Sequence, residues 1–280
     1  MTLQAALTQG TEILDKAAVP VPRLTAEVLL CHAVRCDRAY LYAHGNDELT
    51  QLAWIHYGRY LHERLKGKPT QYITHRQEFF GRDFFVNEHV LIPRPETEHV
   101  VEAALGYIGQ HAAPVIRLLD VGTGSGAIAI SVALEADRKV FASDISEAAL
   151  VVAERNRKTH SAPIHFFSAD LLECVAPRSI DLLLSNPPYV PGEDAANMQA
   201  EVRDWEPKVA LFAGDTGFEV YTRLIAGAKR AVKPRGRLYM ELGYRSLEGV
   251  REMLAANWTD IEVSRDLAGL PRVIGATLIG

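Results

Sequence analysis

Short apolar runs alternate with amphipathic segments from about residue 114 onward, and this alternation constrains the fold more than any other feature of the chain. The apolar runs predict strands at Val115–Val121, Lys139–Ala142, Ile164–Phe167, Ile180–Leu184, Arg237–Leu242, Ile261–Val263 and Arg272–Ile279. The segments between them predict helices at Ala127–Glu135, Glu147–His160, Phe218–Val232 and Ser246–Ala256. Such alternation is typical of an α/β fold, in which helices cover both faces of a mostly parallel sheet.

The residues before this region follow a different, helical pattern. Apolar residues recur at helical spacing in Leu24–Leu30 and Leu49–Leu65. Two short aromatic runs then flank a glycine within Glu78–Val86, which predicts a β-hairpin. We therefore expect three parts: a small N-terminal helical domain at 1–75, a β-hairpin linker at 76–93 and the α/β domain at 94–280.

The composition narrows the class of protein. The net charge is −5 and the pI about 6.1, whereas proteins that grip nucleic-acid backbones usually carry a basic face. No apolar run approaches the ~18 residues that a membrane span needs. Cys31, Cys36 and Cys174 suggest no disulfide framework, and Cys31, His32 and Cys36 lack the spacing of zinc ligands. We expect a cytoplasmic protein without a metal or a membrane partner, and a protein or small molecule rather than nucleic acid as substrate.

A glycine-rich loop follows the first predicted strand and opens a helix, in Asp120–Gly126. Glycines allow the backbone to turn sharply and to approach a ligand closely beside a helix N-terminus. Asp144 ends the second predicted strand, 22 positions after Gly122, and its carboxylate can accept both hydroxyls of a ribose. In a doubly wound sheet both features lie at the carboxyl ends of the strands, where ligands bind.

Two cofactors fit this loop. Gly122, Gly124 and Ala127 satisfy the relaxed dinucleotide fingerprint, with Asp144 at the expected distance. An acidic residue before the first glycine, Asp120, suits the methionyl ammonium of S-adenosylmethionine better than a pyrophosphate. The loop therefore favours S-adenosylmethionine without excluding a nicotinamide cofactor.

The tetrapeptide Asn186-Pro187-Pro188-Tyr189 follows a predicted buried strand, so we expect it in the same crevice as the loop. A planar –NH2 group has two hydrogens to donate and a conjugated lone pair. The Asn186 side-chain oxygen can accept one hydrogen and the carbonyl of Pro187 the other. Tyr189 can pack on the flat face of the acceptor. The tetrapeptide predicts a methyl-acceptor site that would serve glutamine, adenine or cytosine alike.

Nearly the whole chain resembles the protein-(glutamine-N5) methyltransferases. The resemblance is carried by Arg23–Leu30, Gln71–Ile73, the Phe-rich hairpin, Leu91–Glu98, Asp120–Gly126, Asn186–Tyr189, Glu206–Pro207, Ala210–Leu211 and Arg265–Arg272. The segment Leu91–Glu98, which reads L-I-P-R-P-E-T-E, resembles the release factor glutamine methyltransferases in particular. This resemblance implies a Rossmann-like S-adenosylmethionine-dependent domain with a seven-stranded sheet. It also implies methylation of the glutamine N5 in the Gly-Gly-Gln motif of class 1 peptide chain release factors.

The resemblance also implies site residues. The expected cofactor contacts are Asp120, Gly122, Thr123, Gly124, Ser125, Gly126, Asp144, Ile145, Asp170, Leu171 and Asn186. The expected substrate-binding residues are Asn186, Pro187, Pro188, Tyr189, Arg94 and Glu96, with Asn186 and Pro187 catalytic. Leu171 stands where an aromatic residue would pack on adenine. We expect a monomer whose N-terminal helices recognise the release factor.

Other functions remain open at this point. An N5-glutamine methyltransferase of a ribosomal protein would share the tetrapeptide. An amino-methyltransferase of nucleic acid would need a basic groove, and a non-catalytic module would not bind the cofactor. Glu201, Arg203 and Glu206, after the tetrapeptide, fit either a substrate lid or a solvated charged loop.

Overall fold

The structure is a computed structural model that describes residues 1–111 and 116–280. The α-helices are α1 Leu3–Lys16, α2 Pro22–Val34, α3 Arg38–Ala43, α4 Gln51–Leu65, α5 Thr70–Thr74, α6 Glu98–Gln110, α7 Ala127–Glu135, α8 Glu147–His160, α9 Ala200–Trp205, α10 Lys208–Leu211, α11 Glu219–Ala231 and α12 Leu247–Leu254. The strands are β1 Gln77–Phe79, β2 Arg82–Phe84, β3 Leu118–Val121, β4 Val140–Asp144, β5 Ile164–Ser168, β6 Ile180–Ser185, β7 Val190–Pro191, β8 Phe212–Gly214, β9 Val232–Glu241, β10 Trp258–Arg265 and β11 Pro271–Leu278. Two 3-10 turns lie at Pro95–Thr97 and Gly192–Asn197.

These elements form two units. The first consists of Met1–Arg76 and Gln199–Trp205, and the second of Gln77–Met198 and Glu206–Gly280. The predicted hairpin, β1–β2, is confirmed and belongs to the second unit. Within the described ranges, no helix is both long and apolar enough to cross a membrane.

The first unit is a helical bundle in which α1, α3 and α4 begin at side-chain caps. Thr2, Asp37 and Thr50 each accept a hydrogen bond from an amide in the first turn of α1, α3 and α4. Leucines and alanines of α1 and α2 form its core with Tyr57 of α4. The Arg64 guanidinium in α4 donates to Glu201 in α9 at 2.6 Å, which fastens the later segment to this bundle.

The second unit contains the expected α/β fold. Its seven-stranded sheet has the order β10-β11-β9-β6-β3-β4-β5. Strands β9, β6, β3, β4 and β5 are parallel, and β11 runs antiparallel to its neighbours β9 and β10. Parallel neighbours bring the carboxyl ends of β3, β4, β6 and β9 to one edge of the sheet, and these ends carry the polar residues described below.

The sheet is covered on both faces because neighbouring residues of a strand point in opposite directions. Leu118 and Leu182 pack with helices α6 and α7, whereas Leu119, Leu183 and Leu238 pack with α11 and α12. The polar residues Asp120, Asp144, Ser185 and Glu241 lie at or next to the carboxyl ends of these strands.

Several predicted element boundaries differ from those of the structure. Val232 begins β9, where it lies opposite Ile180, and does not end the preceding helix. A β-branched residue suits a strand better than a helix terminus. Of the predicted strand Val115–Val121, the structure has β3 at Leu118–Val121, and Val115 lies outside the described residues.

Candidate active site

The glycine-rich loop joins β3 to α7 in a conformation that glycine adopts most readily. Gly122, Gly124 and Gly126 have φ angles of 73°, 54° and 83°, in the left-handed region. The amide nitrogens of Gly122 and Thr123 each donate to the carbonyl oxygen of Ser143 in β4, at 2.9 Å. The loop is therefore fixed against the next strand, ahead of the N-terminus of α7.

Asn156 in α8 fixes the other end of this loop. Its Nδ2 donates to the carbonyl oxygens of Ser125 at 2.9 Å and Phe85 at 3.0 Å, and its Oδ1 accepts from the Phe85 amide at 2.8 Å. The side chain is almost fully buried. One asparagine thus joins the loop to the segment that follows the hairpin, a role that the sequence patterns did not reveal.

Asp120 lies beneath the loop and is fully buried. Its Oδ2 accepts from the Thr123 hydroxyl at 2.7 Å, but its Oδ1 has no hydrogen-bond partner in the described part of the chain. Burial raises the pKa of this carboxyl to about 7, against a lowering by the Thr123 hydrogen bond. An unpaired buried carboxylate oxygen fits a cationic donor such as the ammonium group of S-adenosylmethionine.

Asp144 ends β4 with both carboxylate oxygens engaged by backbone. Its Oδ2 accepts from the Gly124 amide and its Oδ1 from the Ser146 amide, each at 2.9 Å. Burial raises its pKa, while these backbone hydrogen bonds lower it. Each oxygen has a further lone pair, so the carboxylate can still accept hydroxyl groups. The backbone bonds fix its direction for that role.

The segment after β5 places a charged and an apolar residue together. Asp170 pairs with Arg223 of α11, with Nη2 and Oδ2 2.8 Å apart. Leu171 adopts a φ of 50°, a left-handed conformation that is strained for a branched side chain and is often found at functional sites. The packing of Leu171 against a ligand stays a prediction.

One cavity joins these features to the tetrapeptide. It is lined by the predicted residues Gly122, Thr123, Gly124, Ser125, Asp144, Ile145, Asp170, Leu171, Asn186 and Pro188. Six predicted residues do not line it, namely Asp120, Gly126, Pro187, Tyr189, Arg94 and Glu96. The cavity is also lined by residues that were not predicted to be site residues, among them His89, Val90, Leu91, Pro93, Thr97, Pro207, Ala210, Phe212 and Arg223. The cavity therefore contains most of the predicted cofactor residues and Asn186, and their contact with a ligand stays a prediction.

Asn186 is held by a residue of the P-R-P-E-T-E segment. Its Nδ2 donates to the Thr97 hydroxyl at 3.1 Å, and that hydroxyl donates to Glu241 Oε2 at 2.5 Å. Thr97 and Glu241 are both buried. Neither residue was identified as a site residue from the sequence, although Glu241, like Asp120 and Asp144, is an acid at the carboxyl end of a strand.

Two other residues of the tetrapeptide, Pro187 and Tyr189, pack into the protein. Pro187 is buried, and Tyr189 packs against the core beside Gly243, where an added Cβ would lie 2.7 Å from its ring. Burial raises the pKa of the Tyr189 hydroxyl. Tyr189 thus anchors the Asn186–Tyr189 segment to the core. The packing of its ring on the acceptor stays a prediction.

Burial raises the pKa of the Glu241 carboxyl to about 7. The Thr97 hydrogen bond lowers it, the charge of Glu96 raises it, and Arg272 and a hydrogen bond from Tyr189 lower it. The Tyr221 hydroxyl donates to the backbone carbonyl of Glu241 at 2.8 Å. This carboxyl is therefore fixed in position by groups from several elements.

Arg94 and Glu96, the remaining predicted substrate residues, both form ion pairs within the protein. Arg94 donates to the buried Glu206, whose other oxygen accepts from the Ile92 amide at 3.2 Å. Glu96 lies 3.6 Å from the Arg272 guanidinium. These pairs hold the P-R-P-E-T-E segment in place, and a contact of Arg94 or Glu96 with substrate stays a prediction.

The arrangement can bind a cationic, ribose-bearing ligand beside an amide acceptor. Over residues 1–111 and 116–280, no cluster of His, Cys, Asp and Glu is arranged to hold a metal ion. The side chains described above can supply orientation and hydrogen bonding to such an acceptor.

The chain is similar in sequence and in fold to known methyltransferases. Residues 5–74 match the family model described as PrmC N-terminal domain, and residues 110–202 match that of the Methyltransferase small domain. The chain is 44% identical over 278 residues to the release factor glutamine methyltransferase of Koribacter versatilis, covering 98% of each. It is 39% identical over 282 residues to that of Nitratidesulfovibrio vulgaris, covering 98% of this chain and 95% of the relative. The fold is similar to that of a methyltransferase from Pyrococcus furiosus, with a TM-score of 0.53 and 18% sequence identity. The similarity covers 72% of this chain and 90% of the Pyrococcus chain, and it supports the fold alone.

Proposed function

The chain belongs to the release factor glutamine methyltransferases, and we propose that it methylates the side-chain nitrogen (N5) of the glutamine in the Gly-Gly-Gln motif of class 1 peptide chain release factors. The methyl donor is S-adenosylmethionine. The observation that carries the proposal is that Asn186 and Pro188 line the same cavity as the glycine loop and Asp144. An acceptor loop and a cofactor loop that share one cavity can bring the two reacting atoms together.

The donor side has the residue types that S-adenosylmethionine requires. When bound, the donor supplies a sulfonium methyl group, and its sulfur retains the electron pair of the broken bond. Asp120 has a buried oxygen that lacks a partner, which supports its pairing with the ammonium group. Asp144 supports hydrogen bonding to the ribose, and the glycine loop allows the close approach of the donor.

On the acceptor side, orientation is the main requirement. The glutamine nitrogen carries two hydrogens, of which one can be accepted by Asn186 Oδ1 and the other by the Pro187 carbonyl. Both bonds draw electron density toward the nitrogen and direct its lone-pair axis. The new C–N bond makes the nitrogen acidic, so a proton leaves to solvent without a strong base. Orientation of this kind accounts for up to roughly 7–11 kcal/mol of barrier in general.

Selection of the protein substrate belongs to other surfaces. We assign it to the N-terminal helical domain, with the enzyme acting as a monomer in the cytoplasm, where translation ends. Light scattering of the purified protein tests the oligomeric state.

The direct test is mass spectrometry of a recombinant class 1 release factor after incubation with the enzyme and S-adenosylmethionine. We expect one added methyl group on the glutamine of the Gly-Gly-Gln peptide. A release factor with glutamate in place of that glutamine is the control and should gain none. Methylation of a ribosomal protein or of nucleic acid in parallel reactions, with none on the release factor, would contradict the proposal.

Asn186→Ala tests the role of the acceptor loop in the same assay. Loss of one preorganised hydrogen bond to the reacting group should lower the rate by about 100- to 1000-fold, while calorimetry shows cofactor binding largely retained. Asn257→Ala, outside the cavity lining, is the matched control. Normal turnover by Asn186→Ala would remove its assigned role.

A further inference from the structure

Asn186 can serve an –NH2 acceptor only if its amide presents oxygen, and not nitrogen, to the substrate. The two ends of an amide side chain have nearly the same shape, so packing alone distinguishes them poorly. A flipped Asn186 would place its own –NH2 against the substrate –NH2. Something in the site must therefore select one orientation.

The hydrogen-bond chain behind Asn186 supplies that selection. Ionised Glu241 accepts at Oε2 from the Thr97 hydroxyl, 2.5 Å away, and this bond commits the only hydroxyl hydrogen of Thr97. The lone pairs of Thr97 Oγ1 are then left to accept, and Asn186 Nδ2 donates to them at 3.1 Å. A flipped amide would place Asn186 Oδ1 against Thr97 Oγ1, so that two acceptors would face each other without a hydrogen.

We infer that Glu241 and Thr97 are positioning residues that act through Asn186, holding its amide oxygen toward the acceptor nitrogen of the substrate. This inference rests on the proposed function, since it concerns the acceptor of that same reaction. Neither residue needs to touch the acceptor for this role.

The anchor of this chain is rigid. Glu241 lies in β9, where it pairs in register with Val273 of β11. Its backbone carbonyl accepts from the Tyr221 hydroxyl, which itself accepts from the Gly243 amide at 3.1 Å. Because the sheet fixes Glu241, the direction of each donor in the chain is fixed as well.

The members of this chain differ in how deeply they are buried. Thr97 is 5% exposed and Glu241 3% exposed, whereas Asn186 is half-buried and lines the cavity. Buried hydrogen bonds in a low-dielectric interior are costly to leave unmade. The chain therefore runs from a fixed interior carboxyl to a side chain at the cavity wall, as a device for orientation requires.

The test compares three variants by turnover at saturating cofactor and by calorimetric affinity for S-adenosylmethionine. Thr97→Val keeps the shape of the side chain and removes the hydroxyl, and should lower kcat by about 10- to 100-fold with cofactor affinity retained. Thr97→Ser restores the hydroxyl and should recover most of the rate. Glu241→Gln can donate to Thr97 and so reverse the chain, and should fall between these two.

Thr159→Val, an exposed threonine of α8, is the matched control and should turn over like the wild type. Thermal unfolding checks each variant, and Thr97→Ala replaces Thr97→Val if the latter does not fold. Equal kcat for Thr97→Val and Thr97→Ser would overturn the inference, as would a loss of cofactor affinity that accounts for the whole effect. If the wild type itself transfers no methyl group to the release factor, the proposed function fails and this assignment fails with it.

Discussion

Two buried carboxyl groups, Asp120 and Glu241, lie at the carboxyl ends of strands in the same sheet and differ in how their oxygens are paired. Burial raises the pKa of each to about 7. Asp120 Oδ1 has no partner within the described chain, whereas Glu241 accepts from Thr97 and, through it, holds Asn186. Two carboxyl groups that are similarly buried therefore differ in the partners that their oxygens have within the protein.

The difference fits the two tasks of the cavity, which are to bind the cofactor on the side of Asp120 and to orient the acceptor on the side of Glu241. An oxygen left unpaired in the interior is costly until a ligand supplies a donor, so it favours binding. Glu241 Oε2 is already paired with Thr97 and Glu241 does not line the cavity, so its effect is on the direction of its neighbours. We expect changes at Asp120 to alter cofactor affinity and changes along Glu241, Thr97 and Asn186 to alter the rate.

Asp120→Asn should separate the cofactor side of the cavity from the acceptor side. This change keeps the size of the side chain and removes the charge that would pair with the donor ammonium. We expect the affinity for S-adenosylmethionine to fall by about 10- to 100-fold, the loss typical of a charged hydrogen bond. Turnover at saturating cofactor should change much less.

Calorimetry and saturation kinetics on the same preparation measure both quantities. Wild-type affinity should also rise with pH through about 7, as Asp120 ionises, and the variant should lack that rise. A variant with full affinity and a reduced kcat would break the distinction between the two carboxyl groups.

A smaller effect concerns the stability of the protein without cofactor. The pKa values of Asp120 and Glu241 lie above the ordinary 3.8 and 4.5, so between those values and about 7 the folded state binds protons that the unfolded chain has released. This contribution to stability is fully present below the unfolded pKa and is lost as pH rises through the folded pKa. The free energy of unfolding should fall by up to about 1.4 kcal/mol per pH unit for each group.

Urea unfolding across that pH range measures the slope, with Asp120→Asn and Glu241→Gln as comparisons. Each variant should lose its own part of the pH dependence, because its side chain cannot ionise. A wild type whose stability follows the same slope as both variants would contradict the raised pKa values.

The cofactor side could be predicted from the sequence because its residues are local. The loop Asp120–Gly126 is continuous, and Asp144 follows at the end of the next strand. The order of strands and helices is also local, which is why the α/β fold was predicted and is confirmed.

The acceptor side could be predicted only in part. Asn186 was identified by its tetrapeptide, but Thr97 and Glu241 are 144 positions apart and meet only through the order of the strands. The sequence left Glu206 as part of either a substrate lid or a solvated charged loop, whereas its buried carboxylate pairs with Arg94. A charged residue in a loop gives no signal of a partner 112 positions away.

Helical spacing also left the buried side of a helix undetermined. In α4 the predicted helix is present, but Leu52 and Ile55 are exposed while Ala53 and Tyr57 are buried. Apolar residues on both sides of a helix allow either to face the core, and packing with α1 and α2 decides between them.

The most direct test of the acceptor-side claim is a double-mutant cycle of Thr97→Val and Asn186→Ala, read as single-turnover methylation of a release factor. If Thr97 acts through Asn186, Thr97→Val slows the wild type but has no further effect once Asn186 is alanine. Equal slowing in both backgrounds would show that Thr97 acts independently of Asn186. That result would contradict the claim that Glu241, through Thr97, orients the Asn186 amide.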